Sequence, residues 1–199
     1  MYGVRDLEAG ITEIEDLTGV RATFGGFHPG NGTCNALVSL SDLQYLEIIA
    51  PDPEQGLGGT LGEELIGQRG PSIRTWAVAA PALDDVAQTL TTLGMAGEVI
   101  EMGRTRPDGV QLNWRILTVS AHGFGNLMPF FIDWKDSPHP SVEAPGGCSL
   151  VEFIVTVEEA ARFSDIMRAL DVDVTVEEGP RVMKALLDSP NGRVELTSR

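Results

Sequence analysis

The sequence predicts an α+β fold made of repeated βαβββ units, and three observations carry that prediction. Three amphipathic helical segments, anchored at Leu7, Leu83 and Ala160, recur at a period of about 77 residues. Each follows one short strand-like run and precedes three more. Linkers rich in Gly, Pro and charge separate the units at 51–72 and 135–147. A helix with one apolar stripe belongs on the outside of the sheet that it covers.

The first unit, 1–50, opens with "YGV". The helix "DLEAGITEIEDLTG" then sets Leu7, Ile11, Ile14 and Leu17 on one face. Asp6 caps its start, and Gly19 stands where a left-handed C-terminal residue is needed. "VRATF", "TCNALVSL" and "QYLEIIA" follow as strands, with "LSD" (40–42) as a turn. The 51–72 linker contains a short helical turn, "LGEELIG". The second unit, 73–134, runs "RTWAVAA", then "PALDDVAQTLTTLG", then "GEVIEM", "VQLNWRILTV" and "MPFFIDW". Its helix has Pro81 near the first turn, Leu83, Val86, Leu90 and Leu93 on one face, and Gly94 at the close. "PDG" (107–109) makes its hairpin turn. The third unit, 148–199, runs "SLVEFIVTV", "VEEAARFSDIMRAL", "DVTVEE", "VMKALLD" and "RVELTS", with a turn at "SPNG".

Bulk properties narrow the function class. The 199 residues are 42% hydrophobic and 22% charged, an ordinary globular composition. No apolar run approaches the roughly 20 residues that span a bilayer. The opening residues lack the basic and apolar regions of a secretory signal. Cys34 and Cys148 have no metal-ligand or redox spacing, so they read as free thiols in a reducing cytoplasm, the expected location. A net charge of −15 repels phosphate, which argues against nucleic acid or an anionic membrane as partner.

A βαβββ unit used in pairs is the building block of the vicinal oxygen chelate superfamily, which includes glyoxalase I and the extradiol dioxygenases. The stretches "YGVRDLEAG", "LTGV", "GGFHPGNGTCNALVSLSDLQYLEIIAPDP", "GRTRPDGVQLNWRIL" and "PFFIDW" resemble its glyoxalase-like-domain branch. The resemblance covers about residues 2–134. It implies a cup-shaped, partly open mixed sheet built by the first two units as one domain (1–134), with a small-molecule site in the cup. The segment 135–147 is then a linker to the third unit. In metal-dependent members of the superfamily, ligands come from the first and last strands of each unit. Glu47 matches one such position. The matching first-strand histidine would fall before Met1. Thr75 and Phe131 hold the second unit's two positions and suit no divalent metal, so no metal or cofactor is expected. Glu152 and Glu195 hold the corresponding positions in the third unit.

Strand alternation proposes a site. Leu46 and Ile48 suit the side under a helix, leaving Tyr45, Glu47 and Ile49 to line the cup. Asn35 joins Glu47's side. In the second unit Leu112, Trp114 and Ile116 form the apolar face, leaving Asn113 and Arg115 opposite, with Phe131 and Asp133. One concave wall would then carry Asn35, Tyr45, Glu47, Asn113, Arg115, Phe131 and Asp133, a mixed lining suited to a small ligand. Glu47 is the candidate catalytic base on a carbon acid, with Arg115 or His28 to stabilise the resulting oxyanion. The plainer readings are a Glu47 solvated on an open sheet face or paired with Arg115, and a turn histidine bonded to backbone. His122 and His139 receive no role.

Two functions fit: a metal-independent lyase or isomerase acting on a small oxygenated compound, or a ligand-sequestering binding module that does no chemistry. The third unit's apolar strands need cover. A second copy of the chain, giving a homodimer, is the expected source, with packing inside the chain as the alternative.

Overall fold

The computed structural model describes residues 1–105 and 109–199. The expected turn at 107–109 lies outside the described residues apart from Gly109. In chain order the elements are β1 (Tyr2–Gly3), α1 (Leu7–Thr18), β2 (Thr23–His28), β3 (Thr33–Ser41), β4 (Gln44–Pro51), α2 (Leu61–Gly67), β5 (Ser72–Ile73), β6 (Ala77–Ala79), α3 (Leu83–Thr92), β7 (Ala96–Thr105), β8 (Gln111–Ser120), β9 (Phe130–Asp133), β10 (Ser149–Val157), α4 (Ala160–Ala169), β11 (Thr175–Glu178), β12 (Val182–Ser189) and β13 (Gly192–Thr197). Short 3₁₀ turns lie at Gly125–Leu127 and Pro140–Val142.

Two compact units divide the chain: 1–74 with 139–151 and 185–199, and 75–138 with 152–184. In the first, the sheet order is β2-β3-β4-β1-β5. β1 runs parallel to β4, with Tyr2 opposite Ile48, and antiparallel to β5. α1 is capped as its sequence dictates: Asp6 accepts from the Ala9 N–H at 2.8 Å, and Gly19 closes the helix at φ 76°. Ile11 and Ile14 are buried, whereas Leu17 is exposed and Thr18 buried in its place. Thr18 can occupy a core position because its hydroxyl donates to the Ile14 carbonyl at 2.6 Å. Gly10 lets the helix approach the sheet closely, since a Cβ there would lie 2.8 Å from both Val4 methyls and 3.0 Å from Ile48 Cγ2. α1 therefore covers the face that carries Val4 and Ile48. β2, an edge strand, skips a residue between Phe24 and Gly26, a β-bulge at Gly25.

In the second unit the order is β6-β9-β8-β7, again with the first strand parallel to the last. α3 buries Leu83 and Leu90, and a Cβ at Gly97 would meet Leu90 at 3.2 Å and Leu117 at 3.3 Å. Leu117 and its cross-strand neighbour Phe131 thus lie under α3. The opposite face packs Leu112, Trp114 and Ile132 with Met102, Ile116, Phe130 and Trp134. The loop after β8 folds around His122. Its Nε2 lies 3.1 Å from the Val119 carbonyl, and its Nδ1 accepts from the Phe124 N–H at 3.0 Å. Arg162 lies over the Phe124 ring and Arg181 donates to the Gly123 carbonyl.

The C-terminal segment has the expected βαβββ order along the chain but a different order in space, β11-β10-β12-β13. Its first strand pairs in parallel with its second, through the α4 crossover. Of the apolar strand residues that need cover, Val155, Val194 and Leu196 are buried, and Leu150, Phe153, Val182 and Leu186 are half-buried. No helix among the described residues is long and apolar enough to cross a membrane.

Candidate functional site

The face of the first sheet opposite α1 gathers three of the expected residues. The β2–β3–β4 register sets His28 opposite Thr33, Gly26 opposite Asn35, and Leu37 opposite Glu47. Alternation then turns His28, Asn35 and Glu47 to one side. Asn35 Nδ2 donates to Glu47 Oε1 at 2.6 Å, and His28 Nε2 lies 3.8 Å from the same oxygen. His28 Nδ1 is 3.0 Å from Thr33 Oγ1, an arrangement that orients the ring. The Glu47 and His28 side chains are 13% and 14% exposed, and Asn35 is buried. Asn35 Oδ1 has no hydrogen-bond partner among the described residues. It fits because position 25 has no side chain: a Cβ there would lie 2.4 Å from that oxygen. Chemically this is a carboxylate positioned by an amide, with an imidazole within reach of one oxygen. It can accept a proton, and His28 can steady negative charge nearby.

Tyr45 shares Glu47's face, with its ring 5.4 Å from that of His139. His139 Nδ1 sits 2.8 Å from Ser141 Oγ, and burial lowers the His139 pKa. Sequence reading missed this contact, because nothing in "KDSPHPSVEAPGG" indicates that it folds back on β4.

The other four expected residues are on the second sheet. Arg115, Phe131 and Asp133 are on the face that α3 covers, and Asn113 is on the same side of β8. Phe131 is buried there, bordering the same cavity as Val86 and Thr89 of α3, while Arg115 feels the carboxylate of Asp84 in that helix. Arg115 Nη2 donates to Asp133 Oδ2 at 2.8 Å. That bond, reinforced by the Lys135 N–H, holds the Asp133 carboxyl below its ordinary range. Asn113 is exposed, and its backbone exchanges hydrogen bonds with Ser137 Oγ. In the second sheet the helix takes the face with charges, not the face with tryptophans. Arg115 is therefore paired with Asp133, not with Glu47.

A metal of the kind used by metal-dependent relatives fits these residues poorly. The first sheet offers Glu47 and His28, and among the described residues no group of three or more His, Cys, Asp or Glu converges. In the third sheet β12 lies between β10 and β13, so Glu152 and Glu195 are not on neighbouring strands.

An open mixed sheet of βαβββ units, each with its first strand parallel to its last, defines the vicinal oxygen chelate class. Within it, the family model described as "Glyoxalase-like domain" matches residues 1–170, and the chain belongs to that family. Among solved structures it is similar to a hypothetical protein from Staphylococcus aureus, at 19% identity, a TM-score of 0.60 and coverage of 90% of this chain and 77% of that one. It is also similar to methylmalonyl-CoA epimerase from Mycobacterium tuberculosis, at 20% identity, a TM-score of 0.51 and coverage of 67% and 84%. At such identities the likeness shows the fold. A comparison with curated proteins gives no match.

Proposed function

We propose that the chain binds a small oxygenated molecule against the Glu47 face of the first sheet and moves a proton at a carbon next to a carbonyl, as a metal-independent isomerase or lyase. One observation carries this reading. A largely buried carboxylate, held by Asn35 and faced by His28, lies on the side of the sheet that lines the cup in this class. The apolar surroundings of Leu37 and Ile49 suit a base that must meet a weak carbon acid. Membership of a class that includes isomerases and epimerases is consistent with this chemistry. A sequestering module is the second reading. It is favoured by the Asn35–Glu47 bond, which occupies one of the oxygens that would take the proton.

Incubation in D₂O with small 2-oxo acids, 2-hydroxy acids and acyl thioesters, followed by proton NMR, tests both. The expected result is loss of an α-proton signal with the native chain and a rate at least about 100-fold lower with Glu47→Gln. Ligand shifts without exchange in the native chain would establish the sequestering reading.

A further inference from the structure

The Glu47 and His28 side chains are 13% and 14% exposed, so little of either is open to a ligand. The segment between β4 and β5 runs from the Gly30–Gly32 turn to Gly3 of β1. At one end Gln55 Oε1 accepts from the Gly30 N–H at 3.1 Å, and the Gly62 N–H donates to the Asn31 carbonyl at 3.2 Å. Thr60 and Leu57 press against Gly32, where a Cβ would meet Thr60 Oγ1 at 2.6 Å. At the other end Leu65 and Gln68 sit over Gly3, where a Cβ would lie 2.9 Å from Leu65 Cδ2 and 3.0 Å from Gln68 Oε1. Gly3 pairs with Ile49 and points away from α1, so this contact is on Glu47's side.

That contact is poorly satisfied. Gln68 Oε1, Gln68 Nε2 and Arg74 Nε are all buried without a hydrogen-bond partner among the described residues. Stranding buried polar groups is costly, and separating the surfaces would return them to water. Beyond the contacts at the Gly30–Gly32 turn, the anchors are fully buried Leu65 and an Arg74–Glu64 pair at 3.0 Å whose glutamate is 65% exposed. α2 has only seven residues, and its N-cap Thr60 makes no capping side-chain bond. Gly56, Gly58, Gly59, Gly67 and Gly70 supply hinges, Gly59 already at φ 73°.

We propose that residues 53–71 are a lid, closed in this structure over the face that carries Glu47, and that it opens to admit ligand. The lid's purpose rests on the reading of Glu47 as the working group; its motion does not. Labelling Glu47 with a water-soluble carbodiimide and an amine, followed by mass spectrometry, reads access without requiring catalysis. A Cβ at position 32 would lie 3.4 Å from Thr60 Cβ, near the roughly 3.5–4.5 Å of a disulfide. In Gly32→Cys/Thr60→Cys the expected result is labelling about 10-fold slower when oxidised than when reduced. Equal rates in the two states overturn the lid. Should that variant not fold, Gln68→Leu serves instead, since it removes the stranded amide. It is expected to raise the melting temperature by about 2–4 °C and to slow amide exchange across 57–68. A lower melting temperature, or exchange in native 57–68 as slow as in β3, overturns the proposal. Gated labelling without proton exchange would leave the lid standing and remove only the catalytic reading.

Discussion

The two βαβββ sheets share a strand order and differ in the face that each gives its helix. α1 lies on the apolar side of the first sheet, against Val4 and Ile48, and leaves His28, Asn35 and Glu47 on the other. α3 lies on the charged side of the second, over Phe131 beside the Arg115–Asp133 pair. The opposite face there is aromatic, with Trp114 and Trp134 at 5.3 Å. Alternation divides a strand into two faces but does not say which one a helix will cover. Phe131 and Leu117 are enough to seat α3, and Arg115 and Asp133 tolerate partial burial because they neutralise each other.

The comparison can be broken by mutation, beginning with the largest effect. Trp114→Ala should destabilise the chain by about 3–5 kcal/mol, as deletion of a buried indole does, and urea unfolding measures it. Native-like stability would show the aromatic face to be a spare surface rather than core. Arg115→Ala should lower the melting temperature by a few degrees, because it leaves Asp133 without its partner. It should not change ligand binding at the first sheet. Lost binding with unchanged melting would return Arg115 to the site.

Acid gives a smaller effect. Burial lowers the pKa of His122 below its ordinary 6.5, and Arg181 and Arg162 act in the same direction. The unfolded chain therefore takes up a proton that the folded chain resists. Stability should be full above about pH 6.5 and should fall as the pH drops toward the folded value. Denaturation at about pH 7.5 and 5.5 reads the slope, and His122→Gln should shrink it. His139 is shifted the same way, so part of the slope should remain. The smallest effect is that of Glu47→Gln on stability. The new amide can still accept from Asn35, so the change should stay within about 0.5 kcal/mol. A larger loss would mark Glu47 as structural.

Much of this fold was legible because several independent signals agreed. Asp6 and Gly19 mark both ends of α1, Gly94 stands at φ 75° just after α3, and "LGEELIG" forms α2 at the expected residues. That Glu47, Asn35 and His28 share a face was legible because a carboxylate between Leu46 and Ile48 has only one side free of the helix. The second sheet misled because both of its faces contain large apolar residues. The third segment misled because order along a chain is visible in sequence, whereas order across a sheet depends on pairings between distant strands. The lid's seat over Gly3 was invisible for the same reason, since Gln68 carries no local sign of where it docks.

The bulge at Gly25 also shapes the free margin of the first sheet. β2 is an edge of the first sheet, and Phe24 and Phe27 sit on it 47% and 50% exposed, with their rings 5.1 Å apart. A straight edge bearing two aromatic rings is a template for strand addition and for fibres. The extra residue interrupts the row of free N–H and C=O groups between Phe24 and Gly26 and twists the strand. An incoming strand can bond on one side of Gly25 or the other, not across it. The glycine that leaves room for Asn35 on one face thus also breaks the regular run of the sheet's margin.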